Sequence, residues 1–228
     1  SLSLKHNGIV LISTTRVSLS TSLARNAKKL ETKTIIMLWK RRKKFGSKEN
    51  MKVDVCHAHL IKSLITSNKP TNILEIGIGG GRSTDKILEG IEFNQNNPSF
   101  TLVDNWVDFG FVMPNQVKRR YAHLINIITS DEKDFILSTK DKYDFIMSDG
   151  DHEHTNEWFQ YVYDKLLLAD GILVYHDINL WPGTEGYFPN LREIYSKCKQ
   201  QNIHHKLFNR SIREDERCRR GLLVIFKH

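Results

Sequence analysis

Ile73-Leu74-Glu75-Ile76-Gly77-Ile78-Gly79-Gly80-Gly81-Arg82-Ser83-Thr84 decides how this chain is read: a short apolar run ends in an acid and opens at once into a glycine-rich loop. A backbone that turns sharply off a buried strand needs positive φ, and it needs no Cβ where a ligand comes close; glycine supplies both at least cost. Ile87 and Leu88 follow Ser83 at helical spacing. The loop therefore feeds a helix whose free N–H groups face the same ligand. It lacks the Lys-Ser/Thr pair of a phosphate-binding P-loop. Glu75 also stands beside the place where a diphosphate would sit, so the pattern favours a cationic or neutral ligand over an anionic one.

Three further strands end in polar residues. Phe100-Thr-Leu-Val-Asp104 lies at the distance expected of a strand–helix–strand unit, and an acid there can accept from both hydroxyls of a ribose. Tyr143-Asp-Phe-Ile-Met-Ser-Asp149 runs into Gly150-Asp151-His152-Glu153-His154, and Gly171-Ile-Leu-Val-Tyr-His176-Asp177 is another buried strand. Between these two, Trp158, Phe159, Val162, Tyr163, Leu166 and Leu167 repeat at helical spacing and predict a crossover helix. Ligands of open α/β sheets bind beyond the carboxyl ends of the strands. Glu75, Asp104, Asp149, His152, His176 and Asp177 are accordingly expected on one rim.

The spacing of Glu75, Gly77, Gly79 and Gly81, followed by Asp104, resembles the cofactor-binding half of class I S-adenosylmethionine-dependent methyltransferases. That resemblance implies a Rossmann-like, doubly wound α/β sheet of seven strands, mostly parallel with an antiparallel C-terminal strand. It places the aminoacyl end of S-adenosylmethionine at Glu75 and the glycine loop, including Ser83. It places the ribose on Asp104, the adenine beside Asn105 or Trp106, and the far adenine edge near Ser130 or Asp131. Asp149-Gly-Asp-His152 and His176-Asp177 further resemble the small-molecule O-methyltransferase subgroup, among them macrolide-sugar methyltransferases and relatives of catechol O-methyltransferase, over roughly residues 51–228. In that subgroup an acid after the fourth strand and a polar pair after the fifth hold a divalent metal. The resemblance thus implies Asp149, His176 and Asp177 as metal ligands, and His152 as the general base in the place of a lysine of the catechol enzymes. His176 stands where relatives carry an oxygen ligand, and an imidazole suits a softer ion such as manganese better than magnesium.

Simpler roles compete for several of these residues. Asp149 and Asp177 have the chemistry of helix N-caps, His176 that of a satisfied partner at a sheet rim, and His154 that of a solvated loop residue. Cys56-His57-Ala-His59 has the composition of a metal cluster, but on the apolar helix expected over Val53–Leu64 its members fall on different faces, which reads as packing or exposure. The three cysteines, Cys56, Cys198 and Cys218, form no Cys-x-x-Cys pair, so neither a disulfide framework nor a zinc knuckle is indicated and a reducing, cytoplasmic setting is expected.

The formal charge of +8 is unevenly placed. Residues 1–50 carry 12 Lys/Arg against 2 Asp/Glu, whereas residues 51–228 carry 22 against 24. The chain is thus expected to divide into a basic, Ser/Thr-rich and largely unstructured segment over 1–50 and a catalytic domain over 51–228. Four readings of the segment stand open: an organellar transit-type peptide, a nucleic-acid arm, a membrane-surface patch, or sequence upstream of a start at Met37 or Met51. Its apolar stretch Ile35–Trp39 is too short to span a bilayer. Toward the C-terminus a helix is expected over Leu191–Gln201, strands over 206–209 and 221–226 joined by a charged loop, and an aromatic loop over Asn179–Pro189 that would cover the site.

A small-molecule acceptor is the partner these features imply, with no strong indication of nucleic acid; homo-oligomerisation stays open. Nucleic-acid methylation is disfavoured by the slightly acidic catalytic part and the absence of an Asn/Asp-Pro-Pro-Tyr/Phe motif. The rival reading is a non-catalytic cofactor-binding module that its basic arm anchors to nucleic acid or a membrane.

Overall fold

The computed structural model describes residues 55–106, 119, 121–178, 188–208 and 221–228. The basic segment 1–50, most of the aromatic loop (179–187) and the charged loop 213–220 lie outside the described residues.

Seven strands form one sheet in the order β3-β2-β1-β4-β5-β7-β6. They are β1 (Asn72–Ile76), β2 (Ser99–Asp104), β3 (Asn126–Thr129), β4 (Tyr143–Ser148), β5 (Leu167–Tyr175), β6 (His205–Phe208) and β7 (Leu222–Phe226). β1 pairs in parallel with β2 and β4, and β4 in parallel with β5, while β7 runs antiparallel to both β5 and β6. This is the mixed sheet that the sequence leads one to expect, with its one reversed strand near the edge. The strand order turns back between β1 and β4, so the loops leaving these two strands diverge and leave a crevice at their carboxyl ends.

Strand alternation sends side chains to two helical layers. On one face Leu74, Ile76, Ile146, Leu173, Tyr175, Leu223 and Ile225 pack with α3 (Glu132–Ser138), α4 (Thr155–Tyr161) and α5 (Pro189–Gln200). On the other, Ile73, Leu102, Phe145, Met147, Ile172 and Val174 pack with Ile61 and Ile65 of α1 (Val55–Asn68) and Ile87 of α2 (Arg82–Asn94). Burial on both faces explains why β1, β4 and the second half of β5 read as near-continuous apolar runs.

Two expectations needed adjustment. α1 continues past Leu64 to Asn68, where Lys69 turns into the left-handed region (φ 49°) ahead of Pro70 and ends it. The helix expected through Leu167 breaks early: α4 stops at Tyr161, a single π-helical turn runs over Val162–Leu166, and Leu167 already belongs to β5, opposite Tyr143. Lys227 terminates this turn, its Nζ donating to the carbonyls of Tyr163 (2.6 Å), Asp164 (3.2 Å) and Leu167 (2.8 Å).

α1 and α2 meet at Gly90, where a Cβ would lie 2.6 Å from Ile65 Cγ2 and 2.8 Å from Ile65 Cβ. Alanine would add about 1 kcal/mol of helix propensity, but overpacking costs about 1–3 kcal/mol. Gly90→Ala should therefore lower the thermal midpoint, and its cost should be smaller in an Ile65→Ala background, itself less stable than the parent because Ile65 is a buried core residue; a Gly90→Ala protein more stable than the parent would show that the contact yields without strain.

Candidate active site

The glycine loop is placed by backbone bonds at both ends. Gly77 N–H donates to the Val103 carbonyl (2.9 Å), Asp149 N–H donates to the Ile76 carbonyl (2.8 Å), and the three strand ends β2, β1 and β4 are thereby locked side by side. Gly77 (φ 76°), Gly79 (φ 47°) and Gly81 (φ 73°) all adopt left-handed conformations. A Cβ on Gly77 would collide with the Asp149 carbonyl, so glycine is required there twice over. Gly81 forms the N-cap of α2, and Ser83 and Thr84 in its first turn are buried.

Glu75 is fully buried beneath this loop. Neither of its carboxylate oxygens has a hydrogen-bond partner at bonding geometry among the described residues. Burial pushes its carboxyl up to about 8, the Ser83 and Thr84 side chains pulling the other way from nearby without closing a full bond.

Asp104 accepts from the Ile78 amide on Oδ2 (2.9 Å) and from the Trp106 amide on Oδ1 (2.7 Å), so it braces the glycine loop against the end of β2. Trp106, in the left-handed region at φ 63°, donates its indole N–H to Thr129 Oγ1 (3.0 Å) and ties β2 to β3. Asn105 stands between these two residues. Ser130 donates its amide to the Asp104 carbonyl (3.3 Å). Asp131 is the N-cap of α3, accepting from the Lys133 amide (2.9 Å).

Beyond β4 and β5 the polar residues converge. His176 Nδ1 lies 3.2 Å from Asp149 Oδ1 and 3.0 Å from Asp177 Oδ1, and His152 Nε2 lies 3.5 Å from Asp149 Oδ1 and 3.3 Å from Asp177 Oδ2. One ligand atom from each of Asp149, His176 and Asp177 falls within 4.8 Å of the others. Two carboxylates facing two imidazoles hold both rings protonated: despite burial, Asp149 and Asp177 raise His152 and His176 to about 10. Burial works against the charge on Asp149, but the neighbouring imidazoles outweigh it and keep its carboxyl below the usual range. The Phe188 ring lies against His152 with centroids 4.5 Å apart. Asp177 (φ 60°) and Phe188 (φ 46°) share the left-handed conformation seen at Trp106, so three non-glycine residues in this sparsely populated region border the crevice.

Neither Asp149 nor Asp177 caps a described helix. Turn duty falls to Asp151, whose Oδ1 accepts from the Glu153 (2.8 Å) and His154 (3.1 Å) amides; the exposed His154 ring meets the other Asp151 oxygen. His57, which the sequence reads as packed or exposed, is packed. Its Nδ1 lies 3.3 Å from His176 Nε2. Its register with Ile61 and Ile65, at i+4 and i+8, was the available signal that it faces the sheet.

Residues 74–178 match the family model described as a methyltransferase domain. The match takes in the glycine loop and the carboxyl ends of β1, β2, β4 and β5. Comparison with curated protein sequences gives no significant match. Among solved structures, the chain is similar to an O-methyltransferase from Bacillus cereus in complex with S-adenosylhomocysteine (12% identity, 93% of this chain and 94% of that one, TM-score 0.61). It is also similar to the S-adenosylhomocysteine-bound Podospora anserina methyltransferase PaMTH1 (15%, 97% and 100%, TM-score 0.60). A third is the O-methyltransferase TomG from Streptomyces achromogenes, involved in tomaymycin synthesis, in complex with S-adenosylmethionine (13%, 94% and 93%, TM-score 0.61). At these identities the likeness is one of fold. Among the described residues no helix is long and apolar enough to cross a membrane.

The burial of Glu75 has a measurable consequence for the methyltransferase domain. An acid raised from the usual 4.5 to about 8 holds its proton better in the folded chain than in the unfolded one. Stability therefore falls as pH rises from about 4.5 through 8, where the folded protein must lose that proton. Glu75→Gln should be more stable than the parent at pH 8 without cofactor, with the difference shrinking toward pH 5 in thermal melts; a difference independent of pH would contradict a buried, protonated Glu75.

Proposed function

We propose that the chain methylates a hydroxyl group of a small molecule, using S-adenosylmethionine and a divalent cation. The observation that carries this reading is the meeting of Asp149, His176 and Asp177 at the carboxyl ends of β4 and β5, beside the glycine loop that leaves β1. The cofactor-bound O-methyltransferases of the same fold support it.

The residues present fit the cofactor. Glu75, buried and without a full hydrogen bond among the described residues, suits the cationic amino end of S-adenosylmethionine, and the strand-to-helix turn of Gly77, Gly79 and Gly81 leading to Ser83 gives that end close backbone approach. Asp104 retains acceptor capacity for the ribose hydroxyls, since a carboxylate offers about four lone-pair sites. Asn105 and Trp106 would flank the adenine, with Ser130 and Asp131 at its far edge.

The donor set also fits a divalent ion: two carboxylates and one imidazole converge at a point where protonated imidazoles now face the negative charge. Such an ion, magnesium or a softer one such as manganese, would lower the pKa of an acceptor hydroxyl bound to it. Asp149 and Asp177 would hold the ion and orient the hydroxyl. Once these carboxylates serve a cation, the cause that keeps His152 protonated lapses, and its Nε2 can take the acceptor proton as the methyl group moves. Phe188 keeps the imidazole in place from its other side. Methyl transfer from a sulfonium is an in-line displacement, so alignment of the acceptor with the cofactor supplies much of the rate. The catalytic unit in this reading is residues 51–228.

Turnover of labelled S-adenosylmethionine against catechols, diols and hydroxylated sugars tests this reading. Asp177→Asn should abolish metal-dependent turnover while leaving cofactor affinity nearly intact by calorimetry. His152→Ala should lower turnover about 10²–10⁴-fold, with partial recovery at high pH, where the acceptor ionises unaided. Undiminished activity in excess chelator would remove the metal from the mechanism. Asp104→Ala should weaken cofactor binding at least about tenfold, the effect of losing charge-assisted bonds of roughly 1.5–3 kcal/mol.

A further inference from the structure

Glu132, the first residue of α3, is buried 19 positions upstream of the loop it touches and takes no part in the site described above. Its Oε2 accepts from the Asp151 amide (2.7 Å), and its Oε1 accepts from the Trp158 indole (2.9 Å) and the Thr155 hydroxyl (3.3 Å). Asp151 lies between Asp149 and His152, while Thr155 and Trp158 belong to the first turn and a half of α4. One carboxylate thus holds the start of the loop and the helix that follows it. Gly150 gives it room: a Cβ there would collide with Glu132 Oε2 and stand 3.1 Å from Ile76 Cγ2.

We infer that Glu132 is a positioning residue for the reaction, the clamp that fixes the Asp149–His152 loop at the geometry in which Asp149 reaches His176 and His152 reaches Asp177. All three partners are donors, so the clamp requires an acceptor-only group, and neither glutamine nor a protonated carboxyl can satisfy them all. Among the described residues no cation forms an ion pair with Glu132. Burial, joined by the charge of Asp151, raises its carboxyl to about 7 against the three donors that lower it. Tyr175 on β5 is the other titratable group that feels its charge. The sign follows: the clamp is complete above about pH 7 and loses one bond as pH falls through that value.

This inference rests on the proposed roles of Asp149 and His152, and its test separates the two. In the full chain the Trp158 indole N–H resonance, assigned with Trp158→Phe, should titrate with a midpoint near 7, and Glu132→Gln should abolish that titration and speed solvent exchange of the Asp151 amide. With catechol as acceptor probe, Glu132→Gln should lower kcat on the order of 10–100-fold, as loop misplacement does, with cofactor affinity within about twofold. If Glu132→Gln folds poorly, Gly150→Ala, which displaces Oε2 while keeping the carboxylate, should give the same faster exchange and lower kcat. An indole signal and an Asp151 amide indifferent to both substitutions would overturn the inference. If those signals respond while His152→Ala leaves turnover unchanged, the clamp stands and the proposed chemistry fails.

Discussion

The close approach of β1 to β4 is the constraint on which the site depends. The Asp149 amide donates to the Ile76 carbonyl, and Gly77 leaves no Cβ between its own backbone and the Asp149 carbonyl. The glycine loop after β1 and the Asp149–His152 loop after β4 leave neighbouring strands with their backbones in contact, then diverge because the strand order reverses there. A side chain on Gly77 would therefore separate the two halves of the site as well as strain the turn.

Around this contact the fold concentrates acid. Glu75, Glu132 and Asp177 are buried and Asp149 half-buried, at the ends of strands, in the loops that follow them or, for Glu132, at the start of α3, and the cost of burial is met in three ways. Glu132 is satisfied by three donors. Asp149 and Asp177 are balanced by protonated imidazoles. Glu75 has neither remedy and keeps a proton instead. This electrostatic field suits a sulfonium cofactor with a free amino group and a divalent ion, and it argues against an anionic ligand at the glycine loop, as the sequence already suggested.

Much of this was legible in the chain because strands buried on both faces read as apolar runs, and polar residues that break such a run stand out at its carboxyl end. Glu75, Asp104, Asp149, His176 and Asp177 were visible for that reason, and the structure brings the last three together with His152. Glu132 was not visible, because it reaches the Asp149–His152 loop from α3 and no local spacing links 132 to 151; packing was among the readings of His57, but its pairing with His176 was hidden for the same reason. The end of α4 was misjudged because Val162, Leu166 and Leu167 keep helical spacing through a π-turn whose termination depends on Lys227, some sixty residues away. Asp131 and Asp151 took the capping and turn duties that had competed for Asp149 and Asp177.

The most direct measurement of the central claim is the anomalous diffraction of a crystal of the full chain grown with S-adenosylhomocysteine and manganese. The account expects a manganese peak within about 2.5 Å of side-chain atoms of Asp149, His176 and Asp177, with the cofactor's amino end over Glu75 and its ribose on Asp104. A fully bound cofactor with no manganese among these three residues, or with the metal held elsewhere, would contradict it.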